Sequence, residues 1–155
     1  MSALIIPVTG RVLWATGDVR LRTDIDLHLK DGAGSWRHRT FRVDTASDLT
    51  TMGAYEAKQL GLPMPQARTT GVVHRQTGLE IRSGYLRFRI SGLDQTEFVT
   101  ACLFLGDPNT PPANRPANFD GNLLQPLALL DILRFTFDKE LAIGTAYGEL
   151  TVEKK

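Results

Sequence analysis

FRVDTASDLTTM, residues 41–52, enters as a strand and then meets Asp44, Thr45, Ala46, Ser47 and Asp48. Two acids and a run of small hydroxylated residues stand where a buried strand ends. One reading is a polar turn that closes the strand. The other is a carboxylate, Asp44, presented for chemistry by a tight turn.

The sequence on either side punctuates like β-structure. Residues 20–29 alternate, with Leu21, Ile25, Leu27 and Leu29 set against Asp24, Asp26 and His28 and a slip near Thr23. DGAGS at 31–35 reads as a turn, and WRHRTFRVD pairs back from it as the second arm of a hairpin. Upstream, residues 11–16 are a candidate strand. Downstream, GAYEAKQLGLP predicts a short helix over about 53–60, with Gly61 as its stop and Pro63 confirming the exit. GVVHRQTGLEIRSGYLRFRI predicts two extended arms around a tip at residues 75–78, the second arm running to Ile90. There Arg87 and Arg89 share one face, read as a solvated one. EFVTACLFL (97–105) is the most apolar strand. A long irregular loop rich in Pro, Asn and Gly follows. LLQPLALLDIL then predicts a buried, almost all-round apolar helix over 126–134. Two strands, RFTFD and AYGELTVE, close the chain. The pattern is mainly antiparallel all-β, and the 155 residues suit one domain, residues 1–155.

Composition narrows the function. Hydrophobic residues make up 42%, enough for a core, and 18 basic against 17 acidic residues leave a net charge of +1. Nothing in that balance calls for nucleic acid or an anionic membrane as partner. No apolar run approaches membrane-spanning length. The start, MSALIIPVTGRVLW, lacks a basic n-region and is cut by Pro7, so a cytoplasmic protein is the expectation. Cys102 is the only cysteine and sits in an apolar run, which reads as a buried thiol. His28, His38 and His74 have no metal-like spacing, so neither metal nor cofactor is expected. No phosphate-binding glycine loop exists. A Ser47–His74–Asp set is not favoured by order or local motif.

Asp44 needs a partner to do chemistry. Two carboxylates sharing a site cannot both ionise comfortably, so one keeps a proton. The ionised one can then activate water while the protonated one donates to a carbonyl oxygen. Only one such turn occurs in the chain, and a two-fold dimer would supply the second.

FRVDTASDLTTMGAYEAKQLGLP resembles the active-site segment of retropepsin-like (retroviral-type) aspartic proteases, where two apolar residues precede Asp-Thr-Gly-Ala/Ser. NLLQPLALLDILRFTFD resembles that family's second signature. The spacing leaves room for a β-hairpin flap at about residues 71–82. The resemblance covers roughly residues 20–140 and implies a retropepsin-like β-barrel with one short helix and one buried helix near the C-terminus. It implies a homodimeric aspartic endopeptidase acting on peptide or protein substrates without a metal or other cofactor. Asp44 would be the catalytic acid/base. Thr45 matches the threonine whose hydroxyl links the two loops across the dimer axis. Ser47 matches a position whose hydroxyl can donate to the carboxylate. Asp48 matches a substrate-contacting acid, and Gln76, Thr77 and Gly78 would form the closing flap tip. The terminal strands of both subunits interleave in the family, which nominates residues 150–153 and 4–7 here. The chain departs from the pattern at Ala46, which lies against substrate where the family has Gly, and at Gln125 or Pro126, which replaces the second-signature Gly. Those departures keep a second reading open, a weak or inactive dimerisation or peptide-binding module on the same fold. A third is an unrelated small β-barrel binding domain.

Overall fold

Every second side chain between Asp24 and Lys30 is apolar, and the strand they form buries that face. In the computed structural model, Ile25, Leu27 and Leu29 of β3 (Asp24–Lys30) are buried while Asp26 points outward. The structure describes residues 3–12, 16, 17, 19–45, 47, 49–75, 77–111, 121–139 and 146–155. Ahead of β3 run β1 (Ala3–Val12) and β2 (Val19–Arg22). β1 begins well before the strand expected at 11–16. The single strand expected over 20–29 is two, divided at Thr23, where the chain passes from the sheet in which β2 pairs with β1 to the barrel in which β3 pairs with β4.

β3 pairs antiparallel with β4 (Trp36–Val43) across the expected turn. Asp31 builds that turn. Its carboxylate accepts from the backbone N–H groups of Ala33 and Ser35 at 2.9 and 2.8 Å and from Arg37 Nε at 3.1 Å. After the Asp44 loop come β5 (Thr50–Gly53) and α1 (Ala54–Gln59). The helix stops as expected. Gly61 lies at φ +72°, its N–H donates to Lys58 O, and Leu62 N donates to Ala57 O. These are the two reversed bonds of a Schellman stop.

Val73 and Glu80 form an antiparallel bridge within the segment expected to be a flap. β6 (Ile81–Ile90) and β7 (Phe98–Leu105) then form the longest ladder of the barrel, Ile81 opposite Leu105 through Phe88 opposite Phe98. Arg87 is exposed, but Arg89 is half-buried with its guanidinium 4.0 Å from the Trp36 ring, so that face is only partly solvated. The loop after β7 is described as far as residue 111.

β8 (Leu123–Leu124) is two residues long and decides the topology. It lies parallel to β4 and antiparallel to β5, closing a barrel of order β3-β4-β8-β5-β7-β6. Its apolar residues fill the slot that the two strands flanking the Asp44 loop leave between them.

The buried helix expected over 126–134 does not form. A single 3₁₀ turn, Pro126–Leu129, stands there, and Leu127 and Ile132 are 56% and 45% exposed. Leu129 and Leu133 go inside. The cause is tertiary. β9 (Leu133–Lys139) pairs with β10 (Ala146–Lys154) from Leu133 opposite Lys154 onward. Too few residues then remain between β8 and β9 for a stable α-helix, and three-residue turns suit so short a connector.

β1, β2, β9 and β10 make a second sheet of order β2-β1-β10-β9. Residues 4–7 and 150–153, the segments nominated for a dimer interface, pair with each other within the chain, Leu4 opposite Val152 and Ile6 opposite Leu150. β10 is central and has both ladder edges filled by its own chain. Leu150 and Val152 join Phe41, Phe88, Phe104 and Leu124 in one apolar core, which fastens this sheet to the barrel.

Candidate active site

Asp44 is placed by backbone before its side chain is considered. Val43 N donates to Thr23 O at 2.8 Å, and Asp44 N donates to Leu124 O at 2.9 Å. The strand end is therefore gripped from both sides, and the carboxylate emerges half-buried. Thr45 is exposed and Ser47 half-buried.

The loop from Asp44 to β5 is tied from behind by Gln125, which is 5% exposed. Its Nε2 donates to the carbonyl of Thr45 at 3.3 Å and to the carbonyl of Ser47. Its Oε1 accepts from Leu127 N at 2.9 Å, and its own backbone N–H donates to Thr50 Oγ1 at 3.0 Å. The Ser47 hydroxyl donates to Leu49 O at 2.6 Å. A hydroxyl has one proton to give. In this chain it braces its own turn.

A cavity of about 420 Å³ opens beside Asp44. Asp44 and Thr45 line it together with Thr23 and Arg42, and apolar walls come from Leu21 and Phe137. Asp138 also borders it, so β9 brings a second carboxylate to the same cavity. In the sequence Asp138 is the last residue of RFTFD, with no local mark of a site. Its link to Asp44 arises from sheet packing, for which local sequence holds no signal. Thr77 and Gly78 lie in the hairpin near Val73 and Glu80, outside this lining. His74 Nδ1 and Thr77 Oγ1 are 2.9 Å apart there, and Gly78 turns the tip at φ +68°. Ala46, Asp48 and Gln76 lie outside the described residues.

Among the described residues no group of three or more His, Cys, Asp or Glu side chains could hold a metal ion. Cys102 is buried, and burial pushes its thiol up to about 12. That leaves a thiol with negligible thiolate at neutral pH. Among the described residues no helix is long and apolar enough to cross a membrane.

No family model matches the chain, and no curated protein does. Among solved structures it is similar to the crystal structure of a retropepsin-like aspartic protease from Rickettsia conorii. The identity is 15%, the TM-score 0.54, and the match covers 97% of this chain and 90% of that one. At that identity the likeness concerns the path of the chain, and on that ground the protein has a retropepsin-like aspartic protease fold, all-β and built on curled, mainly antiparallel sheets.

Proposed function

We propose that the chain is a single-domain aspartic endopeptidase, active as a homodimer and hydrolysing peptide bonds in peptide or protein substrates. The observation that carries this reading is the setting of Asp44. It stands at the end of a barrel strand, backbone-fixed by the two-residue strand β8, on a cavity of a retropepsin-like fold. Two copies related by a two-fold axis would bring two such carboxylates together. The ionised Asp44 would take a proton from water as its oxygen attacks the carbonyl carbon. The protonated partner would donate to the carbonyl oxygen, giving a tetrahedral diol. Collapse of the diol breaks the C–N bond as the nitrogen is protonated, and the shared proton is restored to the pair. Thr45 would link the loops across the axis. Ala46, Asp48, Gln76, Thr77 and Gly78 would contact substrate.

Asp44→Asn removes the only group in this scheme that can accept the proton from water. The expected outcome is loss of peptide-library cleavage, by about a thousandfold or more given the size of general acid–base effects, with the dimer retained in sedimentation. Cleavage that survives the substitution would end the peptidase reading. A second reading, a dimeric peptide-binding module, is favoured by Ala46 and by Gln125 or Pro126, both buried, at the second-signature glycine position. A stable dimer with no turnover from acidic to neutral pH selects it.

A further inference from the structure

Gln125 is a carboxamide inside an apolar run, Leu123-Leu124-Gln125-Pro126, and a buried amide needs partners for all its groups. It finds them in one direction only. Nε2 faces two carbonyls, Thr45 O and Ser47 O, and Oε1 faces one N–H, that of Leu127. Rotating the amide by half a turn would set oxygen against both carbonyls and NH₂ against the N–H. Its backbone N–H ends on Thr50, the first residue of β5. The residue before it supplies the carbonyl that accepts from Asp44 N. The Leu124–Gln125 dipeptide therefore holds the whole loop, at Asp44, at Thr45 and Ser47, and at Thr50 where the strand resumes.

We propose that Gln125 is a positioning residue, whose side-chain amide fixes the loop that carries Asp44 and so sets where the carboxylate points. A glycine at this place could pack beside the loop but could not bond it. The catalytic consequence rests on the peptidase reading, and the tie itself rests on the hydrogen bonds alone.

Two variants of the full chain test this. Gln125→Met keeps the length and removes every donor. Gln125→Glu replaces NH₂ with a carboxylate oxygen that repels the Thr45 and Ser47 carbonyls, until a proton restores one O–H donor. Burial raises the value at which that proton binds. The 3₁₀ turn and β5 carry no charged residue; β4, with which Leu124 pairs, carries Arg37, His38, Arg39 and Arg42, and Asp44 follows it. Amide hydrogen exchange is followed for peptides covering 44–50, with 98–105 in β7 as the internal reference and correction for the intrinsic pH dependence. Both variants are expected to exchange about tenfold faster over 44–50 at neutral pH, the scale of a lost buried hydrogen bond, with β7 unchanged. Gln125→Glu alone is expected to return toward wild type in acid. Where wild type cleaves peptide, Gln125→Met is expected to lower kcat about tenfold and leave KM within about twofold, because the group lost touches no substrate.

Unchanged exchange over 44–50, or equal loosening of β7, overturns the proposal. If Gln125→Met fails to fold, the acid recovery of Gln125→Glu decides, and its absence overturns the proposal. A loop that loosens as expected in a chain whose wild type cleaves nothing upholds the tie and rejects the peptidase reading instead.

Discussion

Asp44 owes its place to other residues' backbones, and Gln125 owes its burial to the carbonyls it satisfies. The identity of Asp44 was legible in the sequence because an acid after an apolar strand end, followed by small hydroxylated residues, is locally conspicuous. Gln125 looked like a mere departure from a pattern. A lone amide in LLQPL carries a signal, since a buried polar group needs a partner, but the partner's identity is not local. Asp31 tests residue-scale electrostatics away from the site. The Ser35 N–H holds its carboxyl below the ordinary value, with Arg37 and the Ala33 N–H adding and burial opposing. A depressed carboxyl contributes its stability fully above its unfolded value of about 3.9. That contribution is lost as pH falls through the lower folded value. Asp31→Asn is therefore expected to melt below wild type at pH 7, with the gap closing on acidification below about pH 4. Thermal melts across that range check it, and a gap that stays constant would contradict the assignment.

Elements formed where local signals and tertiary demands agreed. α1 stops at Gly61 because a left-handed residue closes both reversed bonds, and a Cβ built there meets nothing within 4 Å. The cost of Gly61→Ala is then conformational rather than steric, about 1–2 kcal/mol. Denaturant unfolding should show a lower midpoint with an unchanged slope. An unaffected midpoint would mean that the helix end rearranges freely. The 126–134 segment is the contrary case. Its apolar periodicity suited a helix, but pairing of Leu133 with Lys154 claims the chain for β9 first. Leu127, Leu130 and Ile132 are left at the surface as a result.

At the scale of the whole molecule the barrel and the β2-β1-β10-β9 sheet share one core. Leu150, fully buried on β10, lies in the same cluster as Phe41 of β4 and Leu124 of β8. Leu150→Ala deletes packing on which both layers depend, at about 2–5 kcal/mol. Unfolding should remain a single cooperative transition at a lower temperature by calorimetry. Two separate transitions would show that the terminal sheet is an independent unit. Residues 4–7 and 150–153 satisfy each other within the chain, which ties its two ends into that one sheet.

The sequence by itself determined the β3 alternation, the 31–35 turn, the stop at Gly61 and the conspicuous Asp44, since each depends on residues a few positions apart. Tertiary structure alone decided that Leu123–Leu124 slots between β4 and β5, that the segment after it is a 3₁₀ turn, and that β1 pairs with β10. It also aimed the Gln125 amide at a carbonyl 80 residues back along the chain. The physical reason is range. Side-chain period and turn chemistry are set between neighbours, whereas a ladder or a buried amide takes whichever distant group the closed barrel brings within a hydrogen bond's length.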